Sequence, residues 1–556
     1  MRTLGLALVL ALVLALIRTP FAAASLVEAG SEEVGLYVVG GDVDVESRQP
    51  ALSYDRFDDR HLAVWTEDVA DGQDVLGGFL DSALGTNPVF AGEIDGRTGA
   101  ARDPDTAFCP DTRRHLVIWA QEHAPGAFEV FGRRVEPDGT FDGPAFRISD
   151  AGTDDTDAAF DALHPAVASD EQGNFLVVWH SDDDRGGLAD GDFEVFLRIV
   201  PATDGSLGPI QRLTTQSATG GLDSLRPDVA YRRARGDYLI GFETDADPGP
   251  DYVPNGFLAI VPATGLLSAP PAGASRPLAE VSAEPRRVEG YAWDIAVSSA
   301  ALGANTLVVY RSNGSSGALV STRIAGQVFD GDLATVGFVD VTDPQGTLGP
   351  ACRVDDPAVT YSWISGSWVV VWSGVRSGSC ATGSEIFAAV VGRDATMPAA
   401  APLVISGLST EAPTADAVTP AVVASNSSAG DVLAVWCDDR ATADDYGLYG
   451  QFLNAAAAVS APSAPRALSV VAAPNPFNPM TRVRFTLPAA GEASVDVYDL
   501  RGRHVRALGH GSFDAGTHDL RWDGADDTGA QVASGVYHVR LRHAAGTVTR
   551  KITLIE

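Results

Sequence analysis

The chain has 556 residues, 45% of them hydrophobic, and a formal charge of -34. This length exceeds what one ordinary hydrophobic core accommodates, so two or more domains are expected. Acidic residues outnumber Lys and Arg by 73 to 39. This excess argues against nucleic acid and anionic lipid as partners, because both are polyanions.

The first 24 residues have the organisation of a secretory signal peptide. Arg2 precedes an apolar run from Leu4 to Ile17, and small residues ending at Ala24 follow, so cleavage after Ala24 is expected. An uncleaved anchor is the alternative, but the run is shorter than the roughly 20 residues of a spanning helix. No later stretch of the sequence is apolar enough to cross a bilayer, so we expect a secreted protein or one held at the outer cell surface.

A unit of about sixty residues recurs along the chain. Its most regular feature is a hydrophobic run that ends in an aromatic residue, such as HLAVW or FLVVW. The spacing between successive aromatics ranges from 54 residues (Trp65 to Trp119) to 68 residues (Phe242 to Tyr310). The seven aromatics are Trp65, Trp119, Trp179, Phe242, Tyr310, Trp372 and Trp436.

Each unit is predicted to form four short strands. A segment often opened by proline, such as PAVASD from Pro165, precedes the aromatic run, and a third run such as EVFLRIV from Glu194 follows a polar loop. These runs are short, rich in β-branched residues and separated by turn residues, which is typical of an antiparallel meander. Seven meanders arranged radially bury one another's faces, so the sequence predicts a seven-bladed β-propeller over residues 25–455.

The ends of this region predict how the ring closes. The segment GLYVVGGDVDVESRQP from Gly35 resembles the third and fourth strands of a unit, whereas the seventh unit stops after its third strand at QFLN. We therefore expect the N-terminal segment to complete the last sheet.

Four cysteines allow three pairings in an exported protein. Cys352 precedes the first strand of unit six and Cys380 follows its second strand, and these two connections emerge on the same side of a meander. We predict a Cys352–Cys380 disulfide and leave Cys109 and Cys437 unpaired.

Acidic residues concentrate in the loop after the second strand of several units. Calcium is the candidate cofactor, because closely spaced aspartates can supply the roughly six to eight oxygens that it binds. None of the loops has the D-x-[DN]-x-[DN]-G-x5-E spacing of a specific calcium loop, and solvated turns are the first interpretation, ahead of a bound cation and of catalysis. The candidate ligands are Asp182, Asp183, Asp184, Asp190, Asp192, Asp438, Asp439, Asp444 and Asp445.

The seventh unit also has a family resemblance. Its pattern W-x-D-x-R, an acidic loop and a D-I-Y-like strand is carried by Trp436, Asp438, Arg440 and Tyr449. This pattern resembles the repeats of many large exported bacterial proteins and implies a propeller without implying an activity.

Residues 456–473 are rich in alanine and proline, and they are predicted to form a linker and the first strand of a second domain. From Thr481 onward, ten bases stand against nine acids, so the negative charge belongs almost entirely to the propeller region. Residues 474–556 alternate with period two between glycine-containing turns. Together with ALSVV before them they predict about seven strands of an immunoglobulin-like β-sandwich.

This C-terminal segment contains PNPFNP, VYDLRGRHVRAL, GVYHVRL and RKITLIE in order. The series resembles the type A sorting domain of the type IX secretion system and the FlgD-like immunoglobulin-like module of the flagellar hook-capping protein. The resemblance implies recognition by the bacterial outer-membrane secretion machinery, with release of the protein or attachment to surface lipopolysaccharide; a permanent spacer is the alternative. The matching positions are Pro474, Asn475, Pro476, Gly502, Arg503, Val505, Gly535, Tyr537, Lys551 and Ile552.

Three functions remain open at the level of sequence. The first is a non-enzymatic exported propeller that binds an extracellular glycan or protein through the loops 180–192, 244–255 and 438–446. The second is an extracellular glycoside hydrolase or sialidase-like enzyme, although the S-x-D-x-G-x-T-W, H-E-x-x-H and G-x-S-x-G motifs are all missing and no catalytic residue is assigned. The third is a structural component of the surface or an adhesin.

Overall fold

A computed structural model provides the fold, and the chain divides into two compact units, residues 1–458 and 459–556. The described residues form strands, turns and bends, and no helix among them is long and apolar enough to span a membrane. The structure describes residues 24–28, 34–38, 49–69, 72–80, 91–151, 160–183, 191–203, 205–214, 223–245, 254–267, 279–280, 292–300, 305–313, 322–342, 354–375, 383–397, 402–406, 416–424, 431–442, 445–457, 469–473, 477, 480–487, 491–513, 516–544 and 546–555.

The first unit begins with strands β1 (Ala24–Glu28) and β2 (Val34–Val38). The next strands pair with their neighbours in chain order into antiparallel four-stranded sheets, which we number from the N-terminus. Sheet 1 contains β3 (Ala51–Asp55), β4 (Arg60–Val69), β5 (Gly72–Leu80) and β6 (Ala91–Glu93); sheet 2 contains β7 (Ala101–Cys109), β8 (Arg114–Ala124), β9 (Ala127–Val135) and β10 (Phe146–Arg147); sheet 3 contains β11 (Ala162–Ser169), β12 (Asn174–Ser181), β13 (Glu194–Pro201) and β14 (Gln211–Arg212).

Three further sheets repeat this pattern. Each again carries the aromatic run on its second strand, as the repeat predicted. Sheet 4 contains β15 (Ser224–Arg232), β16 (Asp237–Asp245), β17 (Pro254–Pro262) and β18 (Ala279–Glu280); sheet 5 contains β19 (Ala292–Ser299), β20 (Thr306–Asn313), β21 (Thr322–Phe329) and β22 (Thr335–Asp340); sheet 6 contains β23 (Val354–Ser362), β24 (Ser367–Gly374), β25 (Glu385–Val391) and β26 (Leu403–Val404).

Sheet 7 joins the two ends of this unit. It contains β27 (Ala417–Ala424), β28 (Val432–Thr442) and β29 (Asp445–Ala457). Both β1 and β2 pair antiparallel with β29 on its open side. The N-terminal segment thus completes the last sheet, which confirms the predicted closure.

The first strands of the seven sheets surround a central axis. Each contacts the first strand of the next sheet, from β3 through β7, β11, β15, β19 and β23 to β27, and β27 contacts β3. The sheets therefore form a closed ring around a central channel, and the all-β propeller is as predicted.

Hydrophobic side chains fill the space between adjacent sheets. Trp179 on β12 is 1% exposed and packs in a cluster with sheet 2, while Leu176 of the same strand packs against sheet 4. Both faces of a second strand are therefore buried, which explains its continuous hydrophobic run. The buried indole N–H also has a hydrogen-bond partner in sheet 7. Trp436 Nε1 donates to Asp438 Oδ2, two residues later, at 3.0 Å.

The second unit is an immunoglobulin-like sandwich of two sheets, as predicted. Its strands enclose one core that includes Phe485, Val495, Trp522 and Val539. The three-stranded sheet has the order β30 (Ser469–Ala473), β31 (Thr481–Leu487) and β34 (Gly516–Trp522), and the four-stranded sheet has the order β33 (His504–Phe513), β32 (Gly491–Asp499), β35 (Gly535–His543) and β36 (Gly546–Leu554).

Several predicted features lie outside the described residues. They are the signal peptide up to residue 23, the cysteines Cys352 and Cys380, and the Pro474–Pro476 element. Cys109 and Cys437 are buried and carry thiols rather than a disulfide.

Candidate functional site

A β-bulge recurs near the start of the innermost strand in sheets 2 to 7. In sheet 3, Leu163 pairs with His180 and Ala166 pairs with Val178, so two residues of β11 lie opposite one residue of β12. The first bulged residue, His164, has a φ of 46°, which is uncommon for any residue other than glycine. The six residues with this conformation are Asp103, His164, Arg226, Asp294, Asp356 and Thr419.

These six residues lie at the same end of the ring, since each stands at the N-terminal end of an innermost strand. We call this end the channel mouth. Polar or charged side chains on the neighbouring second strands, such as His180 and Glu243, lie beside them. The mouth therefore combines groups from consecutive sheets around one axis.

Two histidines connect sheets 2, 3 and 4. His164 Nδ1 lies 3.3 Å from Asp103 Oδ2, and its ring stacks on the His180 ring with centroids 5.1 Å apart. His180 Nδ1 accepts the backbone N–H of Arg226 at 3.3 Å. Burial lowers the pKa of both imidazoles, so neither carries a charge at neutral pH.

Arg226 and Glu243 connect sheets 4 and 5. The Arg226 guanidinium lies 3.7 Å from Glu243 Oε2 and 3.8 Å from Asp294 Oδ1. Glu243 is buried, and its Oε1 accepts the backbone N–H of Asp294 at 2.6 Å. The Arg226 side chain is 47% exposed, so its guanidinium faces solvent at the mouth.

A second arginine gathers carboxylates from sheets 5 and 6. Arg311 Nε lies 3.1 Å from Asp294 Oδ2, and the same guanidinium forms an ion pair with Asp355. Asp356 lies beside these two aspartates and accepts the backbone N–H of Thr419 in sheet 7. Burial, followed by repulsion from Asp294 and Asp355, raises the pKa of Asp356 to about 7.

An indole borders this charged group. The Arg311 guanidinium carbon lies 5.3 Å from the centre of the Trp293 ring, which is partly exposed. The mouth therefore offers hydrogen-bond donors, acceptors and an aromatic surface at one end of the ring, which is the composition of many small-molecule sites.

Two further aspartates connect the innermost strands deeper in the ring. Asp105 Oδ2 accepts the backbone N–H of Val167, and Asp228 Oδ2 accepts that of Val297, each at 2.7 Å. Burial raises the pKa of Asp105 to about 7 and that of Asp228 to about 6. Since these carboxylates satisfy backbone donors of the next sheet, their role is structural.

The acidic loops that were candidates for calcium make local hydrogen bonds where they are described. Asp182 accepts the backbone N–H groups of Asp161 at 2.7 Å and Gly191 at 3.0 Å, and Asp439 accepts that of Asp416 at 2.7 Å.

The structure describes some of the candidate calcium ligands and not others. No group of three or more His, Cys, Asp or Glu residues suited to a metal occurs among the residues that the structure describes. The calcium site stays a prediction for Asp182, Asp183, Asp192, Asp438 and Asp439, whereas Asp184, Asp190, Asp444 and the side chain of Asp445 lie outside the described part.

In the sandwich, the motif residues that are described have structural positions. Gly502 has a φ of 76° in the turn between β32 and β33, and Arg503 Nε lies 3.0 Å from Asp499 Oδ2 across this turn. Tyr537 donates its hydroxyl to the carbonyl of Ala533 at 2.6 Å. Val505 is partly buried against the core, Gly535 begins β35, and Lys551 is exposed on β36.

The sequence-based candidates did not include the six bulged residues of the channel mouth. The signal is present, because a polar residue stands directly before proline in several units, as in His164-Pro165 and Arg226-Pro227. The described first residues of two predicted binding loops, 180–183 and 244–245, nevertheless lie at the same end of the ring as the mouth.

Comparison with known proteins gives a family match for the second unit. Residues 479–546 match the model of the FlgD Ig-like domain. The sequence matches none of the curated proteins.

Solved structures with a similar fold include three of different origin. The Dos1 propeller has a TM-score of 0.40 at 10% identity, over 77% of this chain and 95% of that one. The NanB sialidase from Streptococcus pneumoniae has a TM-score of 0.34 at 10% identity, over 75% and 70%. The exo-β-1,3-galactanase from Phanerochaete chrysosporium has a TM-score of 0.31 at 10% identity, over 82% and 96%.

Proposed function

We propose that this propeller protein is exported from a bacterium and binds an extracellular glycan at the channel mouth. The observation that carries the proposal is the group of polar residues from Asp103 to Thr419, which come from six sheets; in this group the side chains of Arg226 and Asp294 are 47% and 22% exposed. Sugar hydroxyls both donate and accept hydrogen bonds, so they complement carboxylates and guanidinium groups that are held in fixed positions. Trp293 adds an aromatic surface for a sugar ring.

A glycan array with the full chain tests this proposal. Arg226→Ala is the informative variant, because the side chain is 47% exposed and its ion pairs are longer than hydrogen bonds. Arg113→Ala is the matched control, since Arg113 is 45% exposed and lies in a turn at the opposite end of the ring. We expect about a tenfold loss of affinity for Arg226→Ala only. Failure of every glycan to bind, with saturable binding of a protein instead, would overturn the glycan assignment.

Glycoside hydrolysis is the second candidate, and the carboxyl groups around Arg311 favour it. Hydrolases of this class need one protonated and one ionised carboxyl group, and Asp356 titrates near neutral pH beside Asp294. In this case Asp356→Asn abolishes turnover while binding is retained. Release of no reducing sugar from any bound glycan by the unmodified protein excludes the hydrolase.

The C-terminal domain is proposed to direct secretion or surface attachment through the outer-membrane machinery. The match of residues 479–546 to the FlgD Ig-like domain supports an accessory role for this unit. Intact-mass analysis of protein from the cell surface and the medium tests the role. A mass that ends near residues 460–475 identifies a removed sorting signal, whereas a mass that extends to Glu556 identifies a permanent domain.

A further inference from the structure

One face of the sandwich presents cations in a chain that is otherwise acidic. In β35, Val539 and Leu541 are fully buried, so the alternating residues His538, Arg540 and Arg542 point away from the core. Lys551 of β36 is the register partner of His538 and is exposed. We call His538, Arg540, Arg542 and Lys551 the basic face.

The acids on this side of the sheet are placed differently. Asp496 lies directly opposite Arg540 but is only 4% exposed. Its Oδ1 lies 2.7 Å from His510 Nε2 and 3.2 Å from His504 Nε2, and these imidazoles are 57% and 40% exposed. Glu492 is exposed and lies two residues beyond Ser494, the register partner of Arg542. Asp527 is 52% exposed and lies against β33, with its Oδ2 3.3 Å from His504 Nδ1. The half of the surface formed by β35 and β36 contains no acidic residue and presents nitrogen groups to solvent.

Arg540 is held in place by an aromatic ring. Its guanidinium carbon lies 4.2 Å from the centre of the Tyr498 ring, a cation–π contact that limits its motion. Arg542 is two residues further along the strand, about 7 Å away. Cations at fixed intervals along a strand complement an extended chain of repeated anionic groups.

The same surface lacks the anchors of a protein interface. The exposed large apolar side chains among the described residues of this domain are Met480, Leu500 and Ile555, and none belongs to the four strands of this sheet. Protein interfaces usually depend on buried aromatic and aliphatic anchors, whereas a polyanion binds through charge.

We infer that the basic face binds an acidic polysaccharide. The inference deepens the attachment role proposed for this domain and rests on it, because it names the chemistry of the partner. Carboxylate groups of the polymer would pair with Arg540, Arg542 and Lys551, and the planar guanidinium groups allow two parallel hydrogen bonds each.

Binding of the full chain to alginate tests the inference, with dextran as the neutral polymer and poly-L-glutamate as the acidic polypeptide. About 0.1 M salt is suitable, since it screens the charge of the propeller beyond about 10 Å. The double variant Arg542→Glu/Lys551→Glu should lose about tenfold or more in affinity for alginate. Arg484→Glu/Arg521→Glu on the opposite sheet makes the same change in charge and should stay within about twofold.

Three outcomes overturn the inference: equal binding of dextran, tighter binding of poly-L-glutamate, or equal losses in the two double variants. Melting curves of both double variants verify that they fold. The intact-mass measurement is independent of this result, so failure of the attachment role and failure of the polysaccharide assignment are distinguishable.

Discussion

The two domains place their ionisable groups in different environments. In the propeller, His61 and His115 are buried, Asp105 and Asp228 are half-buried, and burial shifts the pKa of each. In the sandwich, Asp499 and Asp526 lie in exposed turns, where backbone and side-chain hydrogen bonds lower their pKa values.

The architecture accounts for this difference. Among the described strands, adjacent propeller sheets share no strand pairing, and carboxylates such as Asp105 and Asp228 accept backbone N–H groups of the neighbouring sheet. The two sheets of the sandwich instead meet through one apolar core, and the turn aspartates Asp499 and Asp526 accept hydrogen bonds from their own loops. Four predictions, from the largest effect to the smallest, test the contrast.

The largest effect is expected when a core tryptophan of either domain is replaced by alanine. Trp179→Ala should cost about 3–5 kcal/mol in the propeller, and Trp522→Ala a similar amount in the sandwich, since both indoles are 1% exposed. Calorimetry should show each variant lowering a different transition. Trp363, which is 49% exposed, is the control, and Trp363→Ala should change stability by about 1 kcal/mol or less. A shift of both transitions by either core variant would contradict separate cores.

Asp105→Asn tests the half-buried carboxylates that contact the next sheet. The pKa of about 7 in the folded protein exceeds the ordinary 3.8, so the folded state binds this proton more tightly than the unfolded chain. The contribution of Asp105 to stability therefore falls as pH rises from about 4 to about 7. Between pH 4.5 and 7.5, urea unfolding should show the advantage of wild type over the variant shrinking by on the order of 3 kcal/mol. A difference in unfolding free energy that stays constant over this pH range would mean that the pKa of Asp105 is not raised.

His61→Leu should have the opposite pH dependence. Burial lowers the pKa of His61 from 6.5 to about 3, so the unfolded chain binds the proton more tightly and stability falls as pH drops below about 6.5. Removing the imidazole should therefore stabilise the protein at pH 5 by about 2 kcal/mol relative to pH 7.5. Parallel urea titrations at the two pH values measure this change, and equal effects at both would rule it out.

The smallest effect is expected in the exposed turns. Asp526 accepts the hydroxyl of Thr528 and nearby backbone N–H groups, which lower its pKa, so its stabilising contribution is lost as pH falls below about 4. Asp526→Asn should slightly lower the melting temperature of the sandwich at pH 7. Asp138→Asn is the matched change in the propeller, because Asp138 caps Thr140 in the same way. If Asp526→Asn and Asp138→Asn lowered the melting temperature of the same domain, the proposed contrast between the two domains would be wrong.

Much of the fold could be predicted from particular residues. The aromatics from Trp65 to Trp436 gave the repeat, and the segment from Gly35 gave the closure, because hydrophobic periodicity and strand count are properties of the chain. The candidate site was harder to predict from the sequence than the fold. Asp438, a candidate calcium ligand by its spacing, accepts the Trp436 indole N–H in the structure, and the sequence contains no sign of this pairing beyond W-x-D.

The sequence by itself determined the all-β class, the two domains and their contrast in charge, since each follows from local patterns and composition. The tertiary structure decided which polar residues come together. His164, Arg226, Asp294 and Asp356 are each about sixty residues from the next in sequence and come together only because the innermost strands form a ring with the same bulge in sheets 2 to 7. Long-range convergence of this kind depends on ring closure and register, which no local stretch of the chain contains.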